Sequence, residues 1–169
     1  MKYLSTSKKI TSVELLGNNL KAIREKKNMS IRDFAKYIKY DRNCLGYVEN
    51  GLHDIKLETV IGIAEILNKD VAALFDRSFK DDEELWKQGF KPDDYITIFS
   101  DNALRIFSRQ HKGKKNFDYA KAGAERETMS RLINGRVKTA NVKTLDAVAH
   151  ILEVPVSKLL TKDYKEEQI

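Results

Sequence analysis

The stretch Ala35-Lys36-Tyr37-Ile38-Lys39-Tyr40-Asp41-Arg42-Asn43-Cys44-Leu45-Gly46-Tyr47-Val48-Glu49-Asn50-Gly51 decides how the rest of the chain is read. Asp41 suits the N-cap of a helix, because a short acceptor side chain can take the free amides of the first turn. Leu45 and Val48, three residues apart, then face one way, and Asn50-Gly51 tolerates the left-handed backbone that ends a helix. Just upstream, Ser30 with Asp33 resembles a capping box and opens a short helix through Phe34, Ala35 and Ile38. Outward from this pair, Leu16, Leu20 and Ile23 recur at i, i+4 and i+7 in a helix that Asn28 can end. Leu57, Val60, Ile63, Ala64 and Leu67 draw a further stripe, closed by Asn68, and Asp70 caps a last turn from Val71 to Phe75. Five short helices are expected, with no strand pattern.

The same punctuation returns later in the chain. Asn50-Gly51 recurs as Asn134-Gly135. Thr59, Ala64, Ile66 and Leu67 recur as Thr144, Ala149, Ile151 and Leu152, with Arg42 matching Arg126 and Leu20 matching Leu104. A period near 84 residues is too long for a solenoid unit and right for a small domain present twice. The second copy is expected from Asp101, with Leu104 and Phe107 in its first helix and Asn116 capping its second. Met129 and Leu132 face inward from its third, Val142, Leu145, Val148, Ala149 and Leu152 form its fourth stripe, and Pro155 opens the closing turn to Leu160. Between the copies, Asp81-Asp82-Glu83-Glu84-Leu85-Trp86-Lys87-Gln88-Gly89 reads as a two-turn helix with acids at its positive end, and Leu85, Trp86 and Phe90 are apolar enough to dock on a domain. The expected organisation is a flexible basic N-terminus (1–10), a first domain (11–75), an acidic linker with a short helix (76–97), a second domain (98–160) and a C-terminal tail (161–169).

Composition narrows the function classes. The chain has 169 residues, and 41% are hydrophobic, which is enough for real cores and against wholesale disorder. Its longest apolar run is Val71 to Phe75, far short of the ~20 residues a membrane helix needs, and no run of signal-peptide length follows the basic N-terminus. A soluble, cytoplasmic protein without membrane contact is therefore expected. A single cysteine, Cys44, excludes an internal disulfide and a Cys-rich zinc site, and His53, His111 and His150 show no metal spacing. No nucleophile–base–acid set, Gly-rich phosphate loop or carboxylate pair stands out, so neither an enzyme nor a cofactor is expected. The net charge is +6, and residues 98–160 hold 12 basic against 6 acidic side chains, a balance that fits a polyanion partner.

The spacing from Ala35 to Gly51 matches a helix-turn-helix and resembles the lambda-repressor-like family, also called XRE or Cro-type, with its small residue, turn, recognition helix and Glu-Asn-Gly ending. The resemblance covers both copies and implies an all-α fold of two five-helix domains. The family's turn Gly is Lys39 in the first copy, where a left-handed backbone costs on the order of 1 kcal/mol relative to Gly. The second copy keeps Gly123, with Ala120 one residue too close and Ile133 in place of Glu.

The resemblance also implies a DNA site. A recognition helix enters the major groove with its outer face on base edges. Leu45 and Val48 face inward, which leaves Arg42, Asn43, Cys44, Gly46 and Tyr47 outward; Arg42 suits guanine, Asn43 adenine, and Tyr47 a phosphate or thymine methyl. In the second copy Arg126, Glu127, Thr128 and Arg131 take these places, Glu127 suiting a cytosine amino group, while Glu125 pairs with a neighbouring Arg. Phosphate contacts are expected from Ser30 and Asn116 at the starts of the second helices, and from the loops after the recognition helices: Asn50, His53 and Lys56, then Asn134, Arg136, Lys138 and Thr139. The implied function is sequence-specific binding of double-stranded DNA by a transcriptional regulator, a repressor rather than an activator. An antitoxin-like interaction module, with only one copy on DNA, is the alternative, and a homodimer or a protein partner stays open. Cys44 on the outer face raises a redox switch, against the plainer reading of a small residue in a serine-like place.

Overall fold

The computed structural model describes residues 9–81, 94–110 and 126–162, and all regular secondary structure among them is helical. In the first half, α1 (Ser12–Lys26), α2 (Ile31–Tyr37), α3 (Arg42–Glu49) and α4 (Leu57–Leu67) lead to a 3-10 turn at Ala72–Phe75. The second half holds α5 (Tyr95–Gln110), α6 (Arg126–Ile133), α7 (Val142–Leu152) and α8 (Val156–Leu159). The linker helix expected over 81–89, with Leu85, Trp86 and Phe90, and the residues Ala120, Gly123, Glu125, His111 and Asn116 lie outside the described residues, Asp81 excepted.

Local chemistry sets the helix ends. Asp41 accepts from the Cys44 amide at 2.9 Å and opens α3, and Gly51, at φ 68°, closes it. Asn28 and Asn68 both take the left-handed conformation, at φ 52°, after α1 and α4. Ser30 accepts from the Asp33 amide at 3.1 Å, but the Asp33 carboxylate takes the Ser30 hydroxyl rather than its backbone N–H, so half of the expected capping box forms. The complete box is at the start of α1: Thr11 Oγ1 accepts from the Glu14 amide, and the Glu14 carboxylate takes the Thr11 amide at 2.8 Å. Lys39 does sit in the left-handed region, at φ 54°.

Two expectations about the second half change. Its first helix begins at Tyr95 rather than near Asp101, because Asp94 caps it through the Thr97 amide and hydroxyl; α5 therefore starts inside the stretch read as linker. The matching of Leu20 with Leu104 is one residue out. Asn19 donates from Nδ2 to the carbonyls of Leu74 and Asp76, and Asn102 donates in the same way to Leu159 and Thr161. These equivalent anchors set α5 against α1 at 83 positions. Ala103 thus takes the inward place of Leu20, while Leu104 is 39% exposed.

The halves are packed on each other. Their buried side chains form one continuous cluster, from Val13 to Leu160. The 3-10 turn packs on α8, and α1 packs on α7, where Ser12 donates to Asp146. Lys56 and Asn141, the residues just before α4 and α7, form an isolated antiparallel bridge. Leu57 N–H donates to Ala140 O at 2.8 Å, and Val142 N–H donates to Ile55 O at 2.9 Å. The segment after the 3-10 turn also docks: buried Lys69 meets Asp81 at 2.6 Å and lies over the Phe79 ring. Burial pulls the Lys69 ammonium below its ordinary pKa against the opposing effect of Asp81.

Candidate nucleic-acid interface

The first half's candidate reading helix is α3, and α1 determines where it lies. Leu45 and Val48 are fully buried, which fixes the rotation of α3 about its axis. Gly17 of α1 lets the backbones approach: a Cβ there would stand 2.1 Å from Val48 O. Such contact fits only glycine. Glu49, 6% exposed, receives both Nε and Nη2 of Arg24 at 2.8 and 2.9 Å, and Arg24 also donates to Met29 O, at the entrance to α2. This fork ties α1, the start of α2 and the end of α3 together, and Glu49 holds the Arg24 guanidinium above its ordinary pKa.

With the inner face locked, Arg42, Asn43 and Tyr47 stand exposed on the outer face, and Tyr47 is 59% exposed. Cys44 and Gly46 are half-buried. Asp41, hydrogen-bonded beside it, pushes the Cys44 thiol above its ordinary pKa, which lowers its thiolate fraction and speaks against the redox switch. In the second half Met129 and Leu132 are fully buried, and Arg126, Glu127, Thr128 and Arg131 are exposed together on α6.

Several expected phosphate contacts have other partners. Ser30 is engaged with Asp33, whose carboxylate places negative charge at that helix start. Asn50 and Asn134 turn Nδ2 back to Gly46 O and Ser130 O, each at 2.7 Å, and so close the last turn of their own helices. Thr139 Oγ1 accepts from the Glu58 amide of the other half. Lys56 is exposed but sits at the bridge, His53 is half-buried, and Arg136 and Lys138 are exposed on the loop after α6. Asn116 falls outside the described residues.

Residues 20–74 match the helix-turn-helix family model. The matched span contains α2, the Lys39 turn and α3 entire, and this similarity suggests a DNA-binding transcription regulator of the XRE type, a family whose partner is double-stranded DNA. No curated protein and no solved structure matches the chain. No helix among the described residues is long and apolar enough to cross a membrane.

Sequence reasoning missed three residues that shape this surface, Gly17, Arg24 and Asp54, and gave a fourth, Thr139, to phosphate instead of to the other half. Gly17 reads in sequence only as a weak spot in a helix, and Arg24 is 25 positions from Glu49. Asp54 and Thr139 act across the junction between halves. The one available signal was the Glu of Glu49-Asn50-Gly51: an acid at an inward position asks for a buried cationic partner.

Proposed function

We propose that the protein is a transcriptional repressor that binds double-stranded DNA sequence-specifically through two tandem helix-turn-helix units, with α3 reading one half-site and α6 the other. The observation that carries this reading is the outer face of α3: Arg42, Asn43 and Tyr47 are presented together, while buried Leu45 and Val48 leave the helix no other rotation. Arg42 is suited to the O6/N7 edge of guanine and Asn43 to the N6/N7 edge of adenine. Arg126 and Arg131 present the equivalent chemistry on α6, with Arg136 and Lys138 as phosphate contacts on the following loop. Repression requires only occupancy of a promoter, and a DNA-binding surface alone suffices for it.

Selection of binding sequences from a random duplex pool, followed by gel-shift titration at two salt concentrations, tests the proposal. Arg42→Ala is expected to lose about 1–3 kcal/mol and to relax the preference at one base pair. Indifference of the native protein to every duplex at low salt overturns the proposal. The family match ends before the second half, which favours a second reading for α6: contact with a protein partner. On that reading Arg126→Ala and Arg131→Ala leave DNA affinity intact and weaken an association instead.

A further inference from the structure

The residues before α4 and α7 form a reciprocal lock. Each helix begins with amides that have no partner within their own helix, and neither Lys56 nor Asn141, at the N-cap positions, supplies a side-chain cap. The missing acceptors come from the opposite half. Asp54 Oδ1 takes the Lys143 amide of α7 at 3.0 Å, and Thr139 Oγ1 takes the Glu58 amide of α4 at 3.3 Å. The preceding amides, Leu57 and Val142, go to Ala140 O and Ile55 O. Two donors on each helix are thus satisfied by the other half, in an arrangement that maps onto itself when the halves are exchanged. It is the pattern of a two-fold dimer interface, made within one chain.

We infer that this lock fixes the separation of the two reading helices, so that one chain reads two half-sites at a single spacing, with Asp54 and Thr139 as the positioning residues that set it. The inference rests on the proposed reading of DNA by both α3 and α6. Its geometry is short-range. Lys56 follows the end of α3 by seven residues, and Asn141 follows the end of α6 by eight. Fully extended, these segments and the bridge span at most ~60 Å between the helix ends, and the turns at Gly51 and Gly135 shorten that further. Half-sites one helical turn apart, ~34 Å, fall within reach, whereas two turns, ~68 Å, lie beyond it. A freely tethered pair of domains would accept many spacings; a locked pair accepts one.

The test uses the full chain and the duplex selected above, with zero to five base pairs inserted between its half-sites. The native protein is expected to lose about a hundredfold in affinity when a half-turn insert carries the second half-site to the opposite face. The double variant Asp54→Ala with Thr139→Ala is expected to keep its affinity for an isolated half-site and to reduce the spacing penalty from about a hundredfold to about tenfold, because the shared core and the two backbone hydrogen bonds still join the halves. The conservative pair Asp54→Asn with Thr139→Ser, which keeps acceptors at both places, is expected to restore the native profile. A native protein that tolerates every insert overturns the lock. A native profile retained by the alanine pair, or a half-site affinity that falls equally in the alanine and conservative pairs, overturns the positioning role. Failure to bind any duplex refutes the DNA-reading proposal itself and is distinguishable from both outcomes.

Discussion

The two halves solve one packing problem with different chemistry. In the first, α1 meets α3, the candidate reading helix, backbone to backbone at Gly17, and the contact is clamped by the Arg24–Glu49 fork. In the second, the position of Gly17 is held by Ser100, buried, with its hydroxyl donating to Thr97 O. The positions of Arg24 and Glu49 are held there by half-buried Phe107 and buried Ile133. Gly51 is similarly tighter than Gly135: a Cβ on the first would lie 2.6 Å from Glu14 Cγ, whereas on the second its nearest neighbour, Ser100 Oγ, would be 3.4 Å away. A charged clamp with close backbone approach and an apolar seat with room for a side chain both hold an eight-residue helix by its inner face. An ion pair and a hydrophobic pair are interchangeable here only when both members change together, because a lone buried charge has no compensation.

The comparison can be broken most severely at Glu49. Glu49→Ala leaves the Arg24 guanidinium largely buried without its carboxylate and is expected to destabilise the protein by about 3–5 kcal/mol in thermal or urea unfolding. The pair Arg24→Phe with Glu49→Ile, copied from the second half, is expected to recover most of that loss. If the pair is no better than the single variant, the two chemistries are not equivalent. Gly17→Ala comes next: the clash with Val48 O forces α1 and α3 apart, and a loss of about 3 kcal/mol is expected. Ser100→Ala, at the matching place, is expected to lose less than about 1.5 kcal/mol. Lys39→Gly should act in the opposite direction, stabilising the protein by about 1 kcal/mol in urea unfolding through relief of its left-handed backbone, and an unchanged midpoint would show that the Lys39 turn carries no net strain.

The smallest effect is in acid. Cap hydrogen bonds, to the Cys44 amide for Asp41 and to the Thr97 hydroxyl and amide for Asp94, hold both carboxylates below their ordinary pKa. Their folded-state values thus lie under the unfolded ones, near 4, so the stabilisation is fully present above pH ~4 and is lost as pH falls through the folded-state values. Thermal melts followed by circular dichroism from pH 6 to 3 should show this decline. Asp41→Asn should make it shallower by removing the contribution of the first half alone, and an unchanged slope would count against Asp41 as the titrating group.

What could be read from residues alone was local. Asp41, Asn28, Asn68, Asp70 and Pro155 mark helix ends by chemistry that acts within four positions, and the stripes of α4 and α7 mark their buried faces through helical spacing. The exposed set on α3 followed by subtraction, once Leu45 and Val48 were placed inward. The first helix of the second half was harder, because Leu104 offered a match in residue type while the true correspondence ran through Asn19 and Asn102. Their importance lies in two carbonyls more than 50 positions away. Gly17 was illegible for the same reason: the atom it must avoid belongs to another helix.

The order and type of these residues therefore determined where helices start and stop, which face each one buries, and which side chains remain outside. Tertiary structure alone decided how α3 is clamped and how the halves sit together, since the caps of α4 and α7 come from Asp54 and Thr139, each more than 80 positions from the amide it accepts. Side-chain spacing along a helix is a property of a few neighbouring residues, whereas an acceptor supplied from the far half exists only after the chain has brought its two ends of the molecule into contact.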